Sequence, residues 1–311
     1  MDFIRNDTNV KLTEPTVLTI GKFDGLHMGH KKLLEYVDAK KKEKGLKSVI
    51  FTFDMPPSDK VSGKSSLQIT TLPEKELCFT NVGIDYFIEC PFTDEVRMME
   101  AEDFVRKTVE NLNVKAFVVG TDCRFGHNRS GDYKLLEQMS DELGYDVVVV
   151  QKKQYEGRDI SSTFIREEIE VGNIEKANLL LGYPFFIMEE VTSGNHLGHT
   201  IGFPTINQVP PVEKALPPKG VYASAVVVRD RIYAGMTNIG VKPTIEGENA
   251  LGVETNIFDF DEDIYGETVR VRLFSFIRPE KKFGSLDELK AQLAVDRESV
   301  NRVMSAYELK I

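Results

Sequence analysis

His27 and His30 stand three residues apart in Gly21-Lys22-Phe23-Asp24-Gly25-Leu26-His27-Met28-Gly29-His30. At that spacing one face of a helical turn carries both imidazoles. A helix N-terminus adds free N–H groups and a partial positive charge, so the pair would sit over an anion site. Two imidazole donors aimed there suit phosphate-ester chemistry, in which charge builds up on phosphorus oxygens. Gly21 and Gly25 let the chain bend and leave room for a ligand, and Gly29 lets a phosphate approach the backbone. Gly21, Phe23 and Gly29 are therefore candidate nucleotide contacts around a candidate catalytic pair.

A second group is Asp159-Ile160-Ser161-Ser162-Thr163-Phe164-Ile165-Arg166. Ser161, Ser162 or Thr163 can cap the helix that follows, with Glu167 or Glu168 closing a capping box. The same hydroxyls, with Arg166 near the first turn, also make a second anion site. Two helix-start anion sites in one chain fit a triphosphate, one holding the α-phosphate and the other the β- and γ-phosphates. The loop from Gly120 to Asp132, with three glycines and with Asp122, Arg124 and Arg129, reads as a ligand loop or as a solvated polar loop.

The third group lies further on. Gly194, Gly198 and Gly202 recur every four residues and form a backbone-rich segment suited to phosphate, without the lysine of a P-loop. Thr205 and Asn207 are two apart in an extended stretch, so their side chains point the same way. A hydroxyl and an amide oxygen are hard ligands suited to Mg²⁺, although residue types alone favour the reading that they simply satisfy a turn. Glu254 falls on the strand face opposite Val253, Thr255 and Ile257. It is a general base if that face lines a pocket, and an exposed strand carboxylate if it does not.

The elements that must position these groups differ along the chain. Residues 15–21, 47–53, 84–89, 115–119 and 145–151 are short, apolar and rich in Val, Ile and Phe, which predicts strands. Helical periodicity falls at 29–43, 74–82, 101–112 and 132–143. Alternating strands and helices predict a Rossmann-like parallel sheet with ligands at the carboxyl ends of its strands. Gly182 and Pro184 end a short helix, and the domain boundary is placed there: 1–183, then 184–311. Beyond it, strands at 185–192, 220–228, 231–237, 251–258 and 267–275 follow one another across short turns, which predicts an antiparallel β barrel. An amphipathic helical tail closes the chain. The fold class is thus α/β plus β.

The 311 residues suffice for two domains, and the formal charge is −10. An acidic chain without a long Lys/Arg block argues against nucleic acid as a partner. No apolar run approaches the ~20 residues of a membrane helix, and the N-terminus has no signal-peptide core. Cys78, Cys90 and Cys123, odd in number and widely spaced, form neither a disulfide framework nor a zinc pattern, and fit a reducing cytoplasm.

The His-x-Gly-His element resembles the HxGH nucleotidyltransferase superfamily. In order, GKFDGLHMGH, TFDMPP, GTDCRFGHNRSGD and ISSTFIREEIEVGNIEKANLLLGYPF resemble the adenylyltransferase module of prokaryotic riboflavin kinase/FAD synthetases, over nearly all of residues 15–185. GHTIGFPTIN, LPPKGVYA, NIGVKPTI, VETNIFDF and DIYGE resemble the flavokinase barrel that follows in the same family, over residues 185–300. The resemblance implies that His27, His30, Ser162, Thr163 and Arg166 handle ATP phosphates and that Asp122 lies in the flavin/nucleotide loop. It implies Thr205 and Asn207 as ligands of Mg-ATP and Glu254 as the base on the riboflavin hydroxyl. Riboflavin, FMN and FAD follow as substrates and products, and a monomer or weak homo-oligomer is expected. Pro56, Cys123, His199, Ile206 and Asn256 stand where the family more often has His, an aromatic, Arg, Ala and His.

Overall fold

The computed structural model describes residues 1–54, 67–193, 202–243 and 249–307. Pro56, Gly198 and His199, singled out above, lie outside the described residues. The chain divides into two compact units: Met1–Ser66 with Lys75–Ser161, and Leu67–Glu74 with Ser162–Ile311.

In the first unit the strands are β1 (Asp2–Arg5), β2 (Thr16–Ile20), β3 (Lys47–Phe53), β4 (Tyr86–Cys90), β5 (Val114–Gly120) and β6 (Asp146–Val150). All pair in parallel in the order β1-β4-β3-β2-β5-β6. Helices α1 (Met28–Lys44), α2 (Leu72–Thr80), α3 (Asp94–Met98), α4 (Ala101–Leu112) and α5 (Tyr133–Leu143) alternate with them. The predicted parallel sheet is therefore present, widened by β1, whose four residues carry too little periodicity to read. Strand order reverses at β2, with β3 on one side and β5 on the other. The crevice beyond the carboxyl ends of β2 and β5 is where such sheets bind ligands.

Alternation along the strands buries both faces. Leu18, Val49, Phe117 and Val119 meet Phe104 and Val105 of α4 on one face. Val17, Ile50, Phe87, Ala116 and Val118 meet Leu33, Leu34 and Val37 of α1 on the other. Of α4, Ala101, Phe104, Val105, Thr108 and Leu112 are buried, the stripe expected of a helix lying on a sheet.

The second unit begins with α6 (Ser162–Glu170) and α7 (Ile174–Leu181). Then come β9 (Phe186–Glu190), β10 (Thr205–Gln208), β11 (Gly220–Val228), β12 (Arg231–Pro243), β13 (Asn249–Ile257) and β14 (Thr268–Arg278). Gln154–Tyr155 and Arg158–Asp159 form a separate small ladder, β7–β8, in the first unit. The six strands of the second unit are antiparallel in the order β10-β13-β12-β11-β14-β9. The edges meet: Thr192, just past β9, bridges Asn207 of β10. Gln208 Nε2 donates across the seam to the carbonyls of Glu189 (2.7 Å) and Val269 (3.0 Å). A side chain thus serves two strands at the closure, where backbone groups would otherwise lie buried and unpaired. The asparagine of α7 holds its helix to the sheet, with Asn178 Nδ2 donating to the Leu273 carbonyl at 2.9 Å.

The tail is α8 (Leu286–Met304), capped by Ser285, which accepts from Glu288 N. Its Val300 and Met304 pack on Val221, Ala223, Met236 and Phe274. Arg278 clasps the buried Asp296 of α8 through three contacts of 2.7–2.9 Å.

Candidate active sites

The first site grows from the turn after β2. Phe23 (φ 48°), Gly25 (φ 80°) and Leu26 (φ 30°) reverse the chain ahead of α1. His27 is the N-cap: its Nδ1 accepts from Gly29 N (3.2 Å) and His30 N (3.3 Å). The helix-start N–H groups expected to meet a phosphate are thus partly taken by His27 itself. With Nδ1 accepting, the ring proton of neutral His27 resides on Nε2, which becomes the donor.

The two imidazoles stack, with centroids 3.7 Å apart and planes 18° from parallel. A β-carbon at Gly29 would come within 3.1 Å of the His27 ring and 3.3 Å of the Ile160 carbonyl. The absence of a side chain there makes room for the His27 ring. In the same way a β-carbon at Gly21 would meet the Phe23 ring at 3.0–3.4 Å. Phe23 is itself buried, edge-on to Phe79 and 4.9 Å from His30. Gly21 and Phe23 therefore pack behind His30.

Burial drives both imidazoles toward the neutral form. His27 is lowered to about 4, chiefly by desolvation, with Asp122 partly opposing. His30 is lowered well below its ordinary value by burial and then by His27 and Lys75. Its Nδ1 is buried without a hydrogen-bond partner, a costly state for a ring nitrogen.

Asp122, after β5, reaches this rim and pairs with Lys152 at 3.0 Å, and Lys152 also contacts Asp159 at 3.5 Å. Lys152 was not singled out from sequence; its position two residues beyond β6, at the carboxyl edge of the sheet, was the available signal. In the Gly120–Asp132 loop the glycines serve packing. A β-carbon at Gly126 (φ 73°) would meet Ala101 at 2.6–2.9 Å, and one at Gly131 would overlap Phe125. Cys123 is buried, its thiol pushed up to about 12 by desolvation, and is chemically quiet.

Ser162, Thr163 and Arg166 lie on the first turns of α6, in the second unit. Arg166 Nη2 donates to Thr163 Oγ1 at 3.4 Å, so two of the three face each other.

The other site is assembled by strand register. Asn207 of β10 is directly opposite Glu254 of β13, which is directly opposite Asn238 of β12. One step along, Thr205 faces Asn256 and Asn256 faces Met236. Residues paired in register share a sheet face, so Thr205, Asn207, Glu254, Asn256 and Asn238 form one polar cluster. Asn256 Nδ2 donates to the Pro204 carbonyl at 2.6 Å, pinning the turn ahead of Thr205. Gly202 (φ 79°) opens that turn with empty space where a side chain would be.

A cavity of about 290 Å³ between the sheet and α8 is lined by Glu254, Asn238, Asn256 and Thr205, with Phe203 and Phe283 among its apolar lining. A second cavity, of about 440 Å³, is lined by Pro204, Thr205, Ile257, Phe260 and Tyr265. Thr205 is common to both. The question left open by sequence, whether the Glu254 face lines a pocket, is answered: it does. Asn238, Glu280 and Lys281 of this cavity were not foreseen, since a strand Asn and a post-strand Glu-Lys pair carry no motif.

The donor set Thr205 hydroxyl, Asn207 amide oxygen and, opposite, the Glu254 carboxylate suits a hard divalent cation held largely by phosphate oxygens. Among the described residues no cluster of three His, Cys, Asp or Glu forms an all-protein metal cage.

Comparison with known proteins gives two family matches. Residues 9–164 match the FAD synthetase family and residues 181–304 the riboflavin kinase family. The bifunctional riboflavin kinase/FMN adenylyltransferase of Escherichia coli (strain K12) is 38% identical over 286 residues, 91% of this chain and 91% of that protein. Its counterpart in Haemophilus influenzae is 35% identical over 96% of this chain and 98% of that protein, and that of Bacillus subtilis 32% over 93% of each. A Streptococcus pneumoniae crystal structure described as a macrolide-efflux protein has a TM-score of 0.87 at 32% identity, covering 96% of this chain and 98% of that one. Among the described residues no helix of this chain is long and apolar enough to cross a membrane.

Proposed function

This chain belongs to the family of bifunctional riboflavin kinase/FMN adenylyltransferases and makes flavin nucleotides by two ATP-dependent transfers, and from that premise we propose how its residues divide the work. The carrying observation is the register row Asn207–Glu254–Asn238 beside Thr205, which two cavities share.

In the second unit the cavity containing Glu254 takes riboflavin and the other takes the nucleoside of ATP. Their common wall, Thr205, lies where the γ-phosphoryl crosses. Glu254 accepts the proton of the riboflavin 5′-hydroxyl as that oxygen bonds to phosphorus and the bond to ADP breaks. Thr205 and Asn207 would hold Mg²⁺, which supplies neutralisation of phosphate charge when bound. Gly202 lines the phosphate path, and Gly198, outside the described residues, is assigned to phosphate by the resemblance alone.

In the first unit the FMN phosphate attacks the α-phosphorus of ATP and pyrophosphate leaves. His27 Nε2–H and His30 donate to the oxygens on which charge develops, as neutral imidazoles. Neutral donors suit this step because they stabilise oxygen charge without surrendering a proton to it. The family resemblance assigns Ser162, Thr163 and Arg166 to ATP phosphates as well, and Asp122 to the nucleotide loop. The functional boundary is placed near residue 183. Three free cysteines and the acidic charge support a cytoplasmic protein with small-molecule partners and no nucleic acid; a monomer or weak homo-oligomer is proposed on the family resemblance alone.

Product analysis by liquid chromatography tests the assignment. Protein with Mg-ATP and riboflavin, and separately with Mg-ATP and FMN, should give FAD and pyrophosphate in both reactions. FMN accumulating from riboflavin, with no FAD from either reaction, would restrict the chain to the kinase step.

A further inference from the structure

The cavity that holds Glu254 contains a second carboxylate, Glu280, two residues beyond β14. Its Oε1 accepts from Asn238 Nδ2 at 3.5 Å. Asn238 is the register partner of Glu254, so one amide stands between the two carboxylates. Glu280 also occupies a prepared seat: a β-carbon at Gly240 would overlap its Oε1 and come within 3.2 Å of Asn238 Nδ2. Gly240 lies in β12 two residues after Asn238, on the same face, without a positive φ to require glycine. The missing side chain is therefore explained by the carboxylate that fills its space.

We propose that Glu280 is a specificity-determining residue of the kinase site, its carboxylate accepting hydrogen bonds from inner hydroxyls of the acceptor's polyol chain while Glu254 serves the terminal one. This rests on the kinase reading of the cavity. A carboxylate has two oxygens able to receive two neighbouring hydroxyls, which an apolar wall cannot do. Glu280 and Glu254 line the same cavity, with Asn238 the register partner of one and the hydrogen-bond donor to the other, so two carboxylates face one acceptor chain. A site built to hydrogen-bond hydroxyls discriminates strongly against an analogue lacking them.

The test compares two acceptors, riboflavin and a flavin whose N10 side chain is a five-carbon alkyl chain with only the terminal hydroxyl. Glu280→Ala should lower kcat/KM for riboflavin by about 10-fold or more and leave the analogue within about twofold, with the KM for Mg-ATP unchanged. Gly240→Ala, whose new methyl displaces the carboxylate, should reproduce that pattern, and Glu280→Gln should retain part of the preference. Equal loss on both acceptors would mean a merely structural role and overturn the proposal, as would wild-type discrimination in Glu280→Ala. Failure of the kinase reading is separately visible, because Glu254→Gln would then keep wild-type turnover of riboflavin.

Discussion

Glu74 and Lys214, 140 positions apart in sequence, form a buried ion pair at 2.5 Å with side-chain exposures of 0% and 1%. Every polar atom of the pair is used. Lys214 Nζ also donates to the carbonyls of Ile69 (2.7 Å) and Phe186 (2.9 Å). Glu74 accepts from Thr71 N (2.8 Å) and Met188 N (3.0 Å). The Phe185 ring lies 4.6 Å below the ammonium. The pair fastens Leu67–Glu74 to the barrel unit, to which that segment belongs. Lys214→Met leaves Glu74 buried without its cation and should destabilise the barrel unit by about 3–5 kcal/mol, measured by urea denaturation. The double variant Glu74→Met/Lys214→Met should recover part of that loss, since no charge is then stranded.

The stacked histidines lead to a separation of activities. His30→Ala should reduce FAD formation from FMN by about 100-fold or more, the size of effect seen when a transition-state donor is removed. FMN formation from riboflavin should stay within about twofold, the sites being independent. Parallel loss of both products in a chromatographic assay would rule out two separate sites.

For the kinase step, Glu254→Gln should lower kcat by about 10²–10⁴-fold with a smaller change in KM, because removing a general base acts on the transition state more than on binding. Steady-state phosphorylation of riboflavin measures both constants.

Asn207→Ala removes an amide oxygen from a buried site facing Glu254. The expected result is a shift of the Mg²⁺ dependence of riboflavin phosphorylation to concentrations about 10-fold higher, with FAD formation from FMN unaffected. A magnesium titration of each reaction separates the two outcomes.

The His27 imidazole ties stability to pH. Burial lowers it from 6.5 to about 4, so between those values the unfolded chain binds a proton that the folded chain does not. Stability therefore rises with pH across that window. The contribution is fully present above pH 6.5 and is lost as pH falls through 4. Denaturation of the ligand-free protein at a series of pH values should show this slope, and His27→Gln should reduce it, the buried His30 supplying the remainder.

Much of this was legible from local pattern. The alternation of apolar strands and helices in the first half required a parallel sheet, because each helix must cover a sheet face and return the chain to the same edge. Thr205 and Asn207 were rightly placed on one side of a strand, since side-chain direction alternates every residue. The packing neighbours of Gly21 and Gly29 were not legible. A glycine records that something comes close, and only the packed structure shows that the Phe23 and His27 rings are what comes close. The burial of Lys214 carries no local sequence signal for the same reason, its three acceptors being distributed over distant segments.

What the sequence by itself determined is therefore the local order: which stretches form strands or helices, where helices begin, and which residue types stand at the carboxyl ends of strands. Those follow from side-chain periodicity and capping, which act within a few residues. Tertiary structure alone decided that Asn207, Glu254 and Asn238 share one row, that Glu280 fills the space above Gly240, and that His27 turns its Nδ1 to the helix. These depend on strand register and burial, which bring together residues with no sequence proximity and set which of their atoms remain available for chemistry.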